Sequence, residues 1–284
     1  MRPTMMWLGE ARVTTVTTTD TGVHSPGRAN IAPGTMRTDR WWVQPLLVVA
    51  GLSIWLIYGV VRIMSQRAYF VERYHYLSPF SSPCVSASCP KEARDFGTWF
   101  GHFPPFLPLA IITLTFLLGF RFTCYYYRRA YYRSFWFSPP ACAVAEPHSK
   151  YSGETRFPLI LQNVHRYFFA AAAVVSIINT WDVVQAFRPA GHAFGFGLGT
   201  IIMLVNVVLL WTYTVSCHSC RHIVGGRLRN FSVHPLRYRT WTFISKLNTK
   251  HMQLAWTTLA TLMLTDLYIA LVASGTISDL RIFN

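Results

Sequence analysis

Acidic residues are scarce in this chain: Asp and Glu number 11 in 284 residues, against 26 Lys and Arg. Charged residues together make up 13%, whereas a soluble domain of this length carries roughly a quarter. That deficit argues against an ordinary soluble globular domain. The sequence has no hydrolytic triad, no P-loop and no dinucleotide-binding glycine fingerprint, so catalysis on a soluble substrate by this chain alone is not expected. No internal repeat is evident. The first 40 residues are rich in Thr, Gly and Pro and lack apolar periodicity. They also lack the basic start and apolar core of a signal peptide, so residues 1–40 are expected to form a disordered tail.

What the chain has in quantity is apolar residues, 52% of the total, gathered into long runs. Aromatics reach 15%, with clusters such as Trp41-Trp42 and Tyr125-Tyr126-Tyr127 beside apolar runs, as in the aromatic belts at headgroup depth. Five runs have the composition of membrane spans: Val43–Val61, Pro104–Phe120, Pro158–Phe187, Ala193–Ser216 and about Met252–Ser274. The fold expected is all-α and integral to the membrane, with five transmembrane helices.

Basic residues then set the orientation. Five Arg precede the first run, six Lys/Arg lie in 121–157, and seven lie in 217–251 with no acid among them. The 65–103 segment balances four Lys/Arg against three acids. The positive-inside rule places the N-terminus and the segments 121–157 and 217–251 in the cytoplasm, and the C-terminus outside. The net charge of +15 therefore reads as topology plus a docking face for an acidic partner. Nucleic acid is not an expected partner, because the basic residues are split between two membrane loops without a recognisable nucleic-acid motif.

Cysteine use follows the same division. Cys84 and Cys89 lie five apart in the external segment, where an oxidising environment favours a small disulfide. Cys142, Cys217 and Cys220 fall on the reducing side, where free thiols point to metal or redox chemistry. Cys124, at the end of the second run, reads as a packing residue. The stretch Cys217-His218-Ser219-Cys220-Arg221-His222 sets four soft or borderline ligands in six residues. A second segment on the same side offers Cys142 and His148 on a proline-stiffened loop. Rieske centres hold one iron with two cysteines and the other with two histidines. Here Cys142 and His148 could form one arm and Cys220 and His222 the other, with Cys217 competing for the role of Cys220. A structural Cys2His2 zinc site and an uncoordinated cluster at a helix end are the alternatives.

His165 sits near the cytoplasmic end of the third run beside Gln162 and Arg166, and ionisable residues at membrane depth are functional by default. The three form a candidate quinone-carbonyl donor set; an interhelical hydrogen bond by His165 is the plainer reading. Haem ligation would need a second histidine at similar depth. His222 and His251, the candidates, lie at or beyond run ends. Asp182 and Asp266 fall near the external ends of their runs, where they are expected to cap or pair.

Three blocks carry a resemblance: Ser138-Pro139-Pro140-Ala141-Cys142-Ala143-Val144-Ala145-Glu146-Pro147-His148, Thr155-Arg156-Phe157-Pro158-Leu159-Ile160-Leu161-Gln162-Asn163-Val164-His165-Arg166-Tyr167, and Ser216-Cys217-His218-Ser219-Cys220-Arg221-His222. Together they resemble the membrane-anchor subunit of actinobacterial succinate dehydrogenase, respiratory complex II, over roughly residues 40–284. The resemblance implies a five-helix anchor domain over 41–284 in the cell membrane, docked to an iron–sulfur subunit and through it to an FAD-bearing flavoprotein that oxidises succinate. It also implies reduction of a quinone, expected to be menaquinone, and is compatible with a higher oligomer. Anchors of the wider family often carry haem b on helix histidines. This chain lacks a well-placed intramembrane pair, which leaves a [2Fe–2S] centre of Rieske type as the expected relay.

Overall fold

In a computed structural model, residues 40, 42–104, 106–127, 159–188, 194–226 and 228–283 are described. The tail expected over residues 1–40 lies, all but Arg40, outside them, as do Cys142 and His148. The apolar runs are helices, the form in which a segment satisfies its own backbone where no water is available. They are α1 (Val43–Ser65), α2 (Ala110–Thr123), α3 (His165–Ala186), α4 (Leu198–Val215) and α7 (His251–Ala273). Two further helices, α5 (His218–Gly225) and α6 (Pro235–Asn248), form a basic hairpin between α4 and α7. Four helical segments are long and apolar enough to cross a membrane: α1, Ile160–Ala186, α4 and α7.

The second expected span is shorter than its apolar run. Proline lacks an N–H and is tolerated only in a helix's first turn. Pro104 and Pro108 accordingly hold back the start of α2 until Ala110. Ile111 and Ile112 open it with bonds to the carbonyls of Pro108 and Leu109, at 3.0 and 2.9 Å. Its 14 residues extend about 21 Å, less than the roughly 30 Å of a hydrocarbon core.

The five apolar helices alternate in direction, which gives the bundle two chemically distinct ends. One end collects buried carboxylates. Asp266 of α7 accepts from the Tyr58 hydroxyl (2.5 Å) and Arg62 Nε (2.6 Å) of α1, and from Ser78 Oγ (2.5 Å) of the 66–109 segment. Asp182 of α3 accepts from Ser82 Oγ at 2.6 Å. Here the segment after α1 forms a short antiparallel hairpin, β1 (Phe70–Val71) with β2 (Tyr76–Leu77). It continues to Cys84 and Cys89, which are joined as a disulfide with a Cα–Cα distance of 5.9 Å. The stretch after α7 returns as β4 (Arg281–Phe283) against β3 (Phe196–Gly197). On the way, Asp279 accepts from the Tyr76 and Tyr268 hydroxyls (2.9 and 2.8 Å) and from the Gly199 N–H in the first turn of α4 (2.9 Å).

At the opposite, thiol end, the core packs Trp55, Phe120, Phe169, Tyr213, Cys217 and Leu259 together. Gly119 lets α2 approach α3 closely, since a methyl group there would collide with the Phe168 ring.

Candidate functional site

Four helices each deliver one soft ligand to the thiol end. Cys124 directly follows α2, His165 opens α3, Cys217 follows α4 and His251 opens α7. They meet as two Cys–His pairs. His165 Nε2 lies 3.0 Å from Cys217 Sγ, and His251 Nε2 lies 3.4 Å from Cys124 Sγ. Each imidazole is held in the same way. Its Nδ1 faces a hydroxyl, Thr123 Oγ1 at 2.8 Å for His165 and Ser216 Oγ at 2.6 Å for His251. Its face stacks on an aromatic ring, Phe120 at 5.0 Å and Tyr213 at 4.9 Å.

The hydroxyls fix the tautomers. Thr123 donates its proton to the Gly119 carbonyl (2.6 Å), and Ser216 donates its own to the Tyr213 carbonyl (2.7 Å). While each hydroxyl donates its one proton to the carbonyl, it accepts from its histidine, and Nδ1 carries the hydrogen in this arrangement. Both neutral imidazoles therefore aim an Nε2 lone pair at a thiol. Cys217 is 1% exposed and Cys124 4%. Burial pushes the Cys217 thiol up to about 12, with neighbouring Cys124 adding to the rise. Such a thiol stays protonated unless a positive centre inverts the local balance, as a bound metal does.

Cys217 thus pairs with His165, from the expected quinone set, and not with a ligand from its own loop. Cys220 is half-buried on α5 and packs against the core near Cys217. The His222 ring lies 6.5 Å from His218. A cleft of about 940 Å³ opens beside the pairs, lined by Gln162, Arg166, His218, His222, Asn248 and Met252 among others. Gln162 Nε2 donates to the Phe122 carbonyl at 3.5 Å, and the Arg166 guanidinium sits 5.0 Å from the Tyr167 ring centroid. Among the described residues, no three of His, Cys, Asp and Glu gather as a ligand set for a single metal ion. Cys124 and His251 are the members that sequence reasoning left aside. The signal that could have found them is position: each stands, like His165 and Cys217, at the same end of an apolar run.

These features define an all-α, multi-pass membrane protein with two buried thiol–imidazole pairs at one end of its bundle. Residues 43–275 match the family model described as actinobacterial succinate dehydrogenase subunit SdhC, and the chain belongs to that family. No curated protein matches it. It is similar to a chain of a solved structure, the Mycobacterium smegmatis Sdh1 complex in the apo form. The two share 62% identity over 93% of this chain and 99% of that one, with a TM-score of 0.85. The chain is accordingly a succinate dehydrogenase membrane subunit of the cell membrane.

Proposed function

We propose that the chain passes electrons from a soluble iron–sulfur subunit to quinone through a [2Fe–2S] centre of Rieske type. The iron–sulfur subunit receives them from an FAD flavoprotein oxidising succinate. The observation that carries the reading is the pair of Cys–His contacts with both Nε2 lone pairs aimed inward. Two thiols and two neutral imidazoles match the donor set of such a centre. Cys124, Cys217, His165 and His251 would hold it. This assignment keeps Cys217 from the set expected from sequence and proposes Cys124, His165 and His251 in place of Cys220, His222, Cys142 and His148, the last two of which lie outside the described residues. When bound, the centre would accept one electron at a potential above that of all-cysteine clusters.

The chain's own contribution is orientation. Thr123 and Ser216 hold the imidazoles at Nδ1, as metal-bound histidines are commonly held, while Phe120 and Tyr213 each cover one face of a ring. Quinone, menaquinone in this reading, would enter the adjoining cleft. Both nitrogens of His165 already have partners, so within the expected trio Arg166, which lines the cleft, is the carbonyl donor. The thiol end faces the cytoplasm, where α6 presents Arg239 and Lys246, and the turn after it Lys250, to the iron–sulfur partner, and the acidic end faces outward. Haem b is disfavoured, because both Nε2 atoms that would bind its iron face sulfur.

The test is metal analysis with EPR spectroscopy of the reduced, purified complex. Iron and sulfide beyond the soluble subunit's clusters, with a signal lost in Cys124→Ser and His251→Ala, are expected. Zinc, or no signal attributable to this subunit, overturns the reading.

A further inference from the structure

Arg121, near the thiol end of α2, is 5% exposed. Its guanidinium donates to the Tyr127 hydroxyl (3.0 Å), the Ala255 carbonyl (3.3 Å) and Thr258 Oγ1 (3.2 Å), all neutral acceptors. Three aromatic rings surround it, those of Tyr213 (4.9 Å), Trp55 (5.7 Å) and Tyr127 (5.9 Å). Among the described residues no carboxylate pairs with it, whereas Arg62 has Asp266 at 2.6 Å. The same pocket also leaves the Trp55 Nε1–H and the Tyr213 hydroxyl without a hydrogen-bond partner, so donors are in excess and acceptors are short. A buried cation without an anion is costly, and a plain packing role would be served better by an apolar side chain.

The position suggests what the charge does. The guanidinium lies 4.9 Å from the Tyr213 ring, and that ring stacks 4.9 Å from the His251 imidazole. Arg121 is thus one aromatic ring removed from the Cys124–His251 pair, and it precedes Cys124 by three residues, in the last turn of α2. Two ferric ions, two sulfides and two thiolates with neutral imidazoles carry no net charge, and one added electron makes the assembly an anion. We propose that the anion missing from the surroundings of Arg121 is that electron: Arg121 is a positioning residue whose uncompensated charge favours the reduced centre and raises its potential. The inference rests on the functional reading above. The electron comes from the iron–sulfur partner, reduces one ferric ion to ferrous and leaves to quinone, and Arg121 neither gains nor loses a proton.

A unit charge at roughly 10 Å, in an effective dielectric of about 20, shifts an equilibrium on the order of tenfold. For a one-electron couple, tenfold corresponds to about 59 mV. The test is an EPR-monitored redox titration of the purified complex with Arg121→Gln, Arg121→Lys and Thr258→Asp. The last variant sets a carboxylate where Thr258 now accepts from Arg121, cancelling the charge without removing the side chain. The Gln and Asp variants are expected to lower the midpoint potential of this centre by about 59 mV, the tenfold shift above, and the Lys variant to leave it within roughly a threefold shift. An unchanged midpoint in Arg121→Gln with the EPR line shape intact overturns the inference. If that variant does not assemble, an unchanged midpoint in Thr258→Asp does so. Equal shifts in the Lys and Gln variants also overturn it, since only loss of shape would then matter. A wild-type complex without the signal overturns the functional reading itself, and this inference with it.

Discussion

At the acidic end of the bundle, the Asp266 carboxylate accepts four hydrogen bonds, two of them from Arg62, and Asp279 binds two hydroxyls and a helix N–H. At the thiol end, Arg121 has neutral partners only, and both thiols face the lone pairs of neutral imidazoles. Both ends bury polar groups at depths where such groups are costly. The acidic end answers the cost with hydroxyl donors and, at Asp266 and Asp279, with opposite charge, and so gains cohesion. The thiol end leaves the Arg121 charge without an anion and meets its imidazole lone pairs only with weak thiol donors, the condition in which an added metal or electron is stabilised. On the proposed reading, a single helical bundle keeps its stability and its chemistry at opposite ends.

The comparison breaks first at the thiol end if it is wrong. Cys217→Ser is expected to abolish succinate-dependent quinone reduction while leaving succinate oxidation by a soluble artificial acceptor intact. Equal loss in both assays would mean failed assembly instead. Thr123→Val and Ser216→Ala, which free the imidazoles at Nδ1, should each weaken cofactor retention or quinone reduction by roughly 10- to 100-fold. At the acidic end the effect should appear in stability. Asp266→Ala leaves Arg62 and two hydroxyls without their acceptor and should cost about 3 kcal/mol, the low end for a broken buried pair because Arg62 is partly exposed. Thermal unfolding in detergent measures this, and turnover per assembled complex should not change. A variant as stable as the parent would mean that the acidic end is not the cohesive one. Cys84→Ser should cost about 2 kcal/mol, given the short loop that the disulfide closes. Arg239→Glu with Lys246→Glu should have the smallest effect, a several-fold weaker, salt-sensitive hold on the iron–sulfur partner, read by co-purification at rising ionic strength. Arg237 is unsuitable for that test, because it ties α6 to the Val224 and Gly226 carbonyls.

The helical bundle was largely legible in the sequence because membrane helices announce themselves by length and composition. Four of the expected runs match long apolar helices, with boundaries displaced by a few residues at turns such as Gly197. The start of α2 was misjudged because apolar content outvoted the prolines before Ala110. The pairing of Asp266 with Arg62 was foreseeable from its place near the end of a run. The candidate site was legible only in part, for a physical reason. Local spacing can reveal ligands that share a loop, and it drew attention to Cys217, Cys220 and His222. The contacts of Cys217 instead run to His165, 52 residues away, and those of Cys124 to His251, 127 residues away. Helix packing sets such contacts. Listing the residues at matching ends of the apolar runs would have brought all four together.

The bond from Asp279 to Gly199 spans 80 residues of chain. During synthesis α4 must therefore enter the bilayer with an open donor in its first turn, which is answered only after α7 and the stretch beyond it have emerged from the ribosome. A chain halted just after α7 would possess every apolar helix yet carry an unfinished helix start, and with Asp279 missing the Tyr76 and Tyr268 hydroxyls would lose their acceptor too. Completion of this end is thus a late, checkable event in folding, distinct from the insertion of the apolar helices.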